Sequence, residues 1–125
     1  MVRVALLPVQ ITQDTEQAIA SELDDILRRK LLETKGLRFL ARNAVASRPQ
    51  NPFPYFAHEF GTRWIIEGQV SSFSTKTRIS MSLVDAKTAI VYFSKSDDIE
   101  NTPIALQSYS DLFIKEMTEQ LDLPQ

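Results

Sequence analysis

Residues 60–70, FGTRWIIEGQV, and residues 79–88, ISMSLVDAKT, decide the fold of this chain. In the second stretch Ile79, Met81 and Leu83 alternate with polar residues, which is the pattern of a β-strand wetted on one face. Strands are predicted at 63–73, 77–84 and 89–94, with turns at 74–76 and 85–88 between them. Together they predict a three-stranded antiparallel meander, in which Gly68 marks a bulge or a close backbone approach.

The first part of the chain predicts a parallel unit. Residues 2–7 are an apolar run that ends at Pro8, and the lack of strict alternation favours a central strand covered on both faces. A helix follows, with Asp14 or Thr15 as its N-cap and Gly36 as its end, and residues 37–41 predict a second strand. The apolar stripe of this helix has three- and four-residue spacing: Ile19, Leu23, Ile26, Leu27 and Leu31.

The remaining segments complete the order of elements. Residues 43–54 carry three prolines and predict an exposed loop, and residues 55–60 predict a short helix stopped at Gly61. After a polar link at 95–102, Pro103 opens a last helix whose stripe is Leu106, Tyr109, Phe113, Met117 and Leu121. The sequence thus predicts one α+β domain over 1–125, with a mixed five-stranded sheet in the order β-α-β-α-β-β-β-α and helices packed on it.

The two opening stretches also resemble the signature of the TolB amino-terminal-like superfamily, which includes the TolB amino-terminal domain, CsgG and FlgO-like envelope proteins and activators of penicillin-binding proteins. VRVALLP resembles the opening strand of that family and LRFLAR its second strand, whereas Ala89 stands where the family usually has glycine. The resemblance implies the same α+β fold and a periplasmic or outer-membrane-associated location. It also covers non-catalytic modules fused to cyclases, repeats or winged-helix regulators, which would be cytoplasmic.

Composition excludes several functional classes. A net charge of -2 gives no electrostatic reason to expect nucleic acid, and the absence of cysteine removes thiolate metal sites and cysteine nucleophiles. The apolar run at the amino terminus is too short for a signal segment or a membrane span. Membrane association is therefore expected only through a segment that is absent from this chain.

No residue pattern indicates an enzyme, a cofactor or a metal. His58 is the only histidine and has no identifiable orienting partner, so it is interpreted as a helix residue rather than a catalytic base. Asp97, Asp98 and Glu100 lack the spacing of a calcium loop and are interpreted as part of the solvated link. Asp85 is predicted to brace its turn through a side-chain oxygen.

Two surfaces are candidates for binding a protein partner. Arg42, Arg48, Phe53 and Tyr55 lie in or beside the proline-containing loop, and arginine and aromatic residues carry much of the binding energy at interfaces. The same aromatic residues also fit a role in anchoring the loop against the core. The second candidate is the edge of the final strand, AIVYFS at 89–94, where an extended segment of another chain can add.

These observations predict a non-catalytic, cell-envelope accessory domain that docks a protein partner in a transport, assembly or wall-building machine. The alternative is a regulatory module of a longer signalling protein that binds a small ligand between helix and sheet. Homo-oligomerisation is compatible with both interpretations.

Overall fold

The computed structural model describes residues 2–39 and 62–122. Two helices are described, α1 (Gln17–Glu33) and α2 (Pro103–Gln120), and a 3-10 turn at Asp14–Glu16 precedes α1. One sheet contains strands β1 (Val2–Leu6), β2 (Gln10–Ile11), β3 (Leu37–Phe39), β4 (Trp64–Phe73), β5 (Lys76–Asp85) and β6 (Ile90–Glu100). The predicted loop at 43–54 and short helix at 55–60 lie outside the described residues.

The strand order is β3-β1-β4-β5-β6, which confirms the predicted mixed sheet. β1 is central and parallel to both β3 and β4, whereas β4, β5 and β6 form the antiparallel meander. One strand was not predicted: the two residues of β2 pair in parallel with β4 beyond the end of β1. Pro8 lacks a backbone N–H and ends β1, and the chain rejoins the sheet at Gln10.

Both helices bury their predicted stripes in one core with the sheet. Leu23, Ile26, Leu27 and Leu31 of α1 are buried, with Ile19 at the margin of the core. In α2 the buried stripe is Leu106, Tyr109, Phe113 and Met117, and Leu121 packs against the core. The ring of Phe113, which is fully buried, lies 5.7 Å from that of Phe93 in β6. The two amphipathic patterns of the sequence are therefore confirmed.

The sheet is buried differently along its width. Ala5, Leu7 and Ile65 are fully buried although they do not belong to the core under the helices, which agrees with a central strand covered on both faces. On β5 and β6 the outward face is polar, and two pairs of serine hydroxyls, Ser80–Ser96 at 2.8 Å and Ser82–Ser94 at 3.2 Å, bridge the strands. This half of the sheet is wetted on one face, as predicted.

The prediction of a polar link at 95–102 is wrong for most of that range, because β6 continues to Glu100. Its charged residues pair across the sheet with basic residues of β5: Arg78 donates to Asp98 at 2.8 and 3.1 Å, and Lys76 donates to Glu100 at 2.5 Å. Opposite charges on facing strand residues stabilise a pairing that the polar composition alone argues against. Asp97, Asp98 and Glu100 are thus strand residues.

Predicted positions at the ends of α1 need correction. Gln13 is the N-cap residue of the 3-10 turn, so Asp14 and Thr15 lie inside that turn and neither caps the helix. At the other end α1 stops at Glu33, and Gly36 takes the left-handed conformation, with φ of 83°, only after an extended Thr34. The glycine therefore shapes the turn into β3, while the helix itself ends three residues earlier.

Gly68 is a site of close approach and not of a bulge. The β4–β5 register is continuous there, with Gly68 opposite Met81, and the irregular pairing lies between Leu83 and Val84 against β6. A Cβ atom on Gly68 would collide with the side chain of Met81 and the backbone oxygen of Ser80. Only glycine leaves room for this contact between the strands.

Candidate interaction surface

The loop predicted to bind a partner is not among the described residues. Arg42, Arg48, Phe53 and Tyr55, like His58, fall within 40–61, so their predicted roles stay predictions. The described ranges do contain the second candidate, the final strand.

β6 is the last strand of the sheet, and within the described ranges only β5 pairs with it. Its first three residues are apolar and exposed: the fractional exposure is 64% for Ile90, 54% for Val91 and 48% for Tyr92. Edge strands usually carry charges that discourage pairing with other chains, and this part of β6 has none. Among the described strands, β6 thus lies at the edge of the sheet, as predicted for 89–94, and it begins at Ile90.

Aromatic and basic side chains adjoin this exposed segment. The rings of Trp64 and Tyr92 lie 4.9 Å apart and tilted by 55°, and the guanidinium of Arg63 lies 4.9 Å from the Trp64 ring. The Tyr92 hydroxyl donates to the backbone oxygen of Gln120, at 3.0 Å, and so ties this surface to the end of α2. We call these residues the aromatic corner: Arg63, Trp64, Ile90, Val91 and Tyr92.

The turn beside the aromatic corner is braced by Asp85, as predicted. One carboxylate oxygen accepts from the backbone N–H of Lys87 at 3.0 Å, and the other accepts from Arg63 at 3.1 Å. The hydrogen bond from Arg63 lowers the pKa of Asp85, and the Lys87 N–H contributes in the same direction. Asp85 thus fixes both the turn and the position of the guanidinium over Trp64.

A fully buried carboxylate, Glu16, was not predicted from the sequence. Glu16 is fully buried and accepts from the backbone N–H groups of Thr12 at 2.8 Å, Gln13 at 2.9 Å and Ser72 in β4, and from the Thr12 hydroxyl at 2.8 Å. The Ser72 hydrogen bond contributes most to lowering the pKa of Glu16 from 4.5 to about 2. The spacing of Gln13 and Glu16 was the available signal, because a residue three positions after an N-cap often accepts from its N–H.

An open cleft of about 400 Å³ lies between the end of α1 and the middle of α2. Its walls include Lys30, Lys35 and Lys115 and the acidic residues Glu33 and Asp111, and Lys30 pairs with Asp111 across it. Five of the eight side chains that line this cleft are charged. It lies between two helices, and not between helix and sheet as the ligand-binding alternative expected.

The residues that the structure describes contain no cluster of three or more histidine, aspartate or glutamate side chains placed to hold a metal ion. Within the same part of the chain neither helix has the length and apolar character needed to cross a membrane.

No protein-family model and no curated protein matches this chain. Solved structures do. TolB from Acinetobacter baumannii aligns with a TM-score of 0.66 and 14% identity, over 96% of this chain and 28% of that one. PelC from Paraburkholderia phytofirmans, described as a dodecamer, aligns with a TM-score of 0.61 and 16% identity, over 98% and 89%. The LpoB carboxy-terminal domain from Escherichia coli aligns with a TM-score of 0.61 and 13% identity, over 80% and 83%.

These likenesses define the class of fold. The chain has the TolB amino-terminal-like α+β fold, as its sequence motifs implied. At sequence identities of 10–16%, these structural similarities establish the fold and do not establish the activity of this chain.

Proposed function

We propose that this chain is a non-catalytic accessory domain of the cell envelope that docks a protein partner in a transport, assembly or wall-building machine. The observation that carries the proposal is the aromatic corner, where the exposed Ile90 and Val91 adjoin an arginine, a tryptophan and a tyrosine whose side chains contact one another in sequence. Tryptophan, tyrosine and arginine are the residue types most enriched among those that dominate binding energy at interfaces.

The arrangement of the aromatic corner favours docking. Arg63 is held by Asp85, and Tyr92 is held by Gln120, so both side chains are ordered before a partner arrives. Ordering side chains on association costs free energy, and a prearranged surface avoids part of that cost. Beside it, the exposed start of β6 presents an edge on which an extended segment of the partner can lie.

The fold supports the proposed location. One of the solved neighbours is a lipoprotein from Neisseria meningitidis, aligned with a TM-score of 0.57 and 13% identity over 95% of this chain. We propose a periplasmic or outer-membrane-associated location by this likeness, with any membrane attachment supplied by a segment outside this chain. The PelC neighbour is described as a dodecamer, and assembly of this chain with copies of itself is part of the same proposal.

The test replaces an apolar residue of the aromatic corner by lysine. Val91→Lys is expected to abolish co-purification of an envelope protein that the unchanged chain retains, because a buried unpaired charge opposes association. The matched control is Leu32→Lys on α1, which is also large, apolar and exposed, at 69%, and lies outside the aromatic corner. Equal retention by both variants, or loss with both, would exclude the aromatic corner as the docking site.

The cleft between α1 and α2 supports the second candidate, a regulatory module that binds a small charged ligand. A thermal-denaturation screen against a metabolite panel separates the two functions, because a ligand that binds only the folded state raises the midpoint. A reproducible rise that is lost in Lys115→Ala favours ligand sensing, whereas unchanged midpoints across the panel favour docking.

A further inference from the structure

The second half of β6 differs from the aromatic corner. Residues 93–100 carry charges of both signs, and among the described strands only β5 pairs with them. The side chains alternate between the two faces of the sheet. Phe93, Lys95, Asp97 and Ile99 are half-buried on the helix side, and Ser94, Ser96, Asp98 and Glu100 are exposed on the open side.

This segment is complementary to itself when it is paired antiparallel about Ser96. Lys95 pairs with Asp97 of its own chain at 3.1 Å, and in that register it also lies opposite Asp97 of a second copy. Phe93 lies opposite Ile99 of that copy. Both contacts occur twice because a twofold axis repeats each of them. Facing residues on paired strands have Cβ atoms about 4.5–5.5 Å apart, which is close enough for ion pairs and apolar contact.

Neighbouring registers are unfavourable. Sliding the strands by two residues places Lys95 opposite Lys95 in one direction and Asp97 opposite Asp97 in the other, and facing like charges destabilise a strand pair. Sliding by one residue brings helix-side residues opposite open-side residues and mismatches the faces of the two sheets. Charges on an edge strand usually oppose pairing with any other strand. On this edge they favour one register of pairing and oppose the neighbouring registers.

The helix above the strand carries an apolar residue on the same flank. Glu116 of α2 lies 3.5 Å from Lys95, so that side of α2 is turned towards β6. Leu112 precedes Glu116 by four residues, which places it on the same side of the helix, and it is 47% exposed. A second copy at the edge of β6 would bring the two α2 helices side by side along this flank.

We propose that residues 93–100 of β6 pair antiparallel with the same residues of a second copy, about a twofold axis at Ser96, to form a continuous sheet across a dimer. This inference goes beyond the docking function and leaves the aromatic corner free. The two aromatic corners lie at opposite ends of the shared strand pair. The dimer thus presents two docking sites, which raises the effective affinity for a partner that carries two binding segments.

Single cysteines test the register directly, because the chain has none of its own. In Ser96→Cys the two thiols face each other across the twofold axis, and mild oxidation is expected to convert the protein to a covalent dimer. The matched control is Ser94→Cys, on the same strand and the same face. Its two copies are four residues apart along the strand, about 14 Å, and a disulfide requires Cα atoms within about 7 Å.

Sedimentation of the unmodified protein provides an independent measurement. The expected mass is twice that of the chain. Lys95→Asp is expected to halve the measured mass, because the new carboxylate would face Asp97 of the second copy. The double variant Lys95→Asp with Asp97→Lys is expected to restore the dimer. Circular dichroism checks that each variant is folded. A monomer at all concentrations, or equal cross-linking of Ser94→Cys and Ser96→Cys, would overturn the proposal and leave the edge open to a different strand. Neither result would affect the test of the aromatic corner.

Discussion

Ala89 shows how much one backbone conformation matters at the residue scale. It follows the turn braced by Asp85 and has a φ of 60°, the left-handed region in which a β-carbon is crowded by the next carbonyl group. The family that the sequence resembles usually has glycine at this position. Ala89 thus has a backbone geometry that favours glycine, and the hydrogen bond from its own N–H to the backbone oxygen of Asp85, at 2.7 Å, holds it there.

Ala89→Gly is accordingly expected to stabilise the protein. Relief of the left-handed strain is worth about 1–2 kcal/mol, and the greater freedom of glycine in the unfolded chain offsets about 0.5–1 kcal/mol of it, so the net gain is about 0.5–1 kcal/mol. Urea unfolding measures it. Ala86→Gly in the same turn is the control, since Ala86 is buried and is not among the described residues with positive φ, and it should destabilise. A loss of stability in both variants would contradict the inference that the backbone at Ala89 is strained.

At the scale of elements, the pairing of β4 with β5 depends on the absence of a side chain. Ten residue pairs join the two strands without interruption, and Gly68 lies near the middle of that ladder. The Met81 side chain occupies the space that a substituent on Gly68 would need. The β4–β5 register therefore depends on core packing, because only a glycine at position 68 leaves room for the Met81 side chain.

Gly68→Ala is expected to lower the free energy of unfolding by about 1–3 kcal/mol, because overfilling a closely packed site forces neighbouring atoms apart. The backbone oxygen of Ser80 is among those neighbours and has less freedom to move than the end of a side chain. Gln69→Ala, on the adjacent exposed position of β4, is the control and should change stability by less than about 0.5 kcal/mol. Equal effects of the two changes in a denaturant titration would rule out the steric explanation.

At the scale of the whole molecule, Glu16 connects the entry of α1 to the meander. Its carboxylate joins the segment before α1 to Ser72 near the far end of β4, positions 56 residues apart in the sequence. The bonds to backbone N–H groups favour the charged form and outweigh the opposing effect of burial. The ionisation of one side chain is therefore coupled to the stability of the fold.

The pH dependence of unfolding follows from the sign of this shift. A folded-state pKa of about 2, below the ordinary 4.5, means that the stabilisation by Glu16 is complete above pH 4.5 and is lost as the pH falls towards 2. In Glu16→Gln the thermal midpoint should be lower than that of the unchanged protein at pH 6, and the difference should shrink at pH 3 and below. Parallel curves for the two proteins over this range would show that Glu16 does not titrate with folding.

The amino-acid sequence by itself determined the elements that depend on local periodicity. The stripes of α1 and α2, the alternation in β5 and the brace at Asp85 could all be predicted, because side-chain direction repeats with the period of the element and a turn aspartate bonds to its near neighbours. The TolB-like motifs supplied the class of fold. The edge position of residues 89–94 followed from their place as the last strand of the meander.

Tertiary structure alone decided what depends on contacts between distant segments. Residues 95–100 look like a solvated link in sequence, and in the structure they form a strand in which Asp98 and Glu100 lie opposite Arg78 and Lys76 and Ile99 packs against the core. Glu16 looks like an ordinary surface acid until the sheet brings Ser72 to it, and Trp64 meets Tyr92 only when β5 has brought β4 and β6 into one sheet. Such pairs have no signature in local spacing, since their free energy arises only once the chain has brought the partners together.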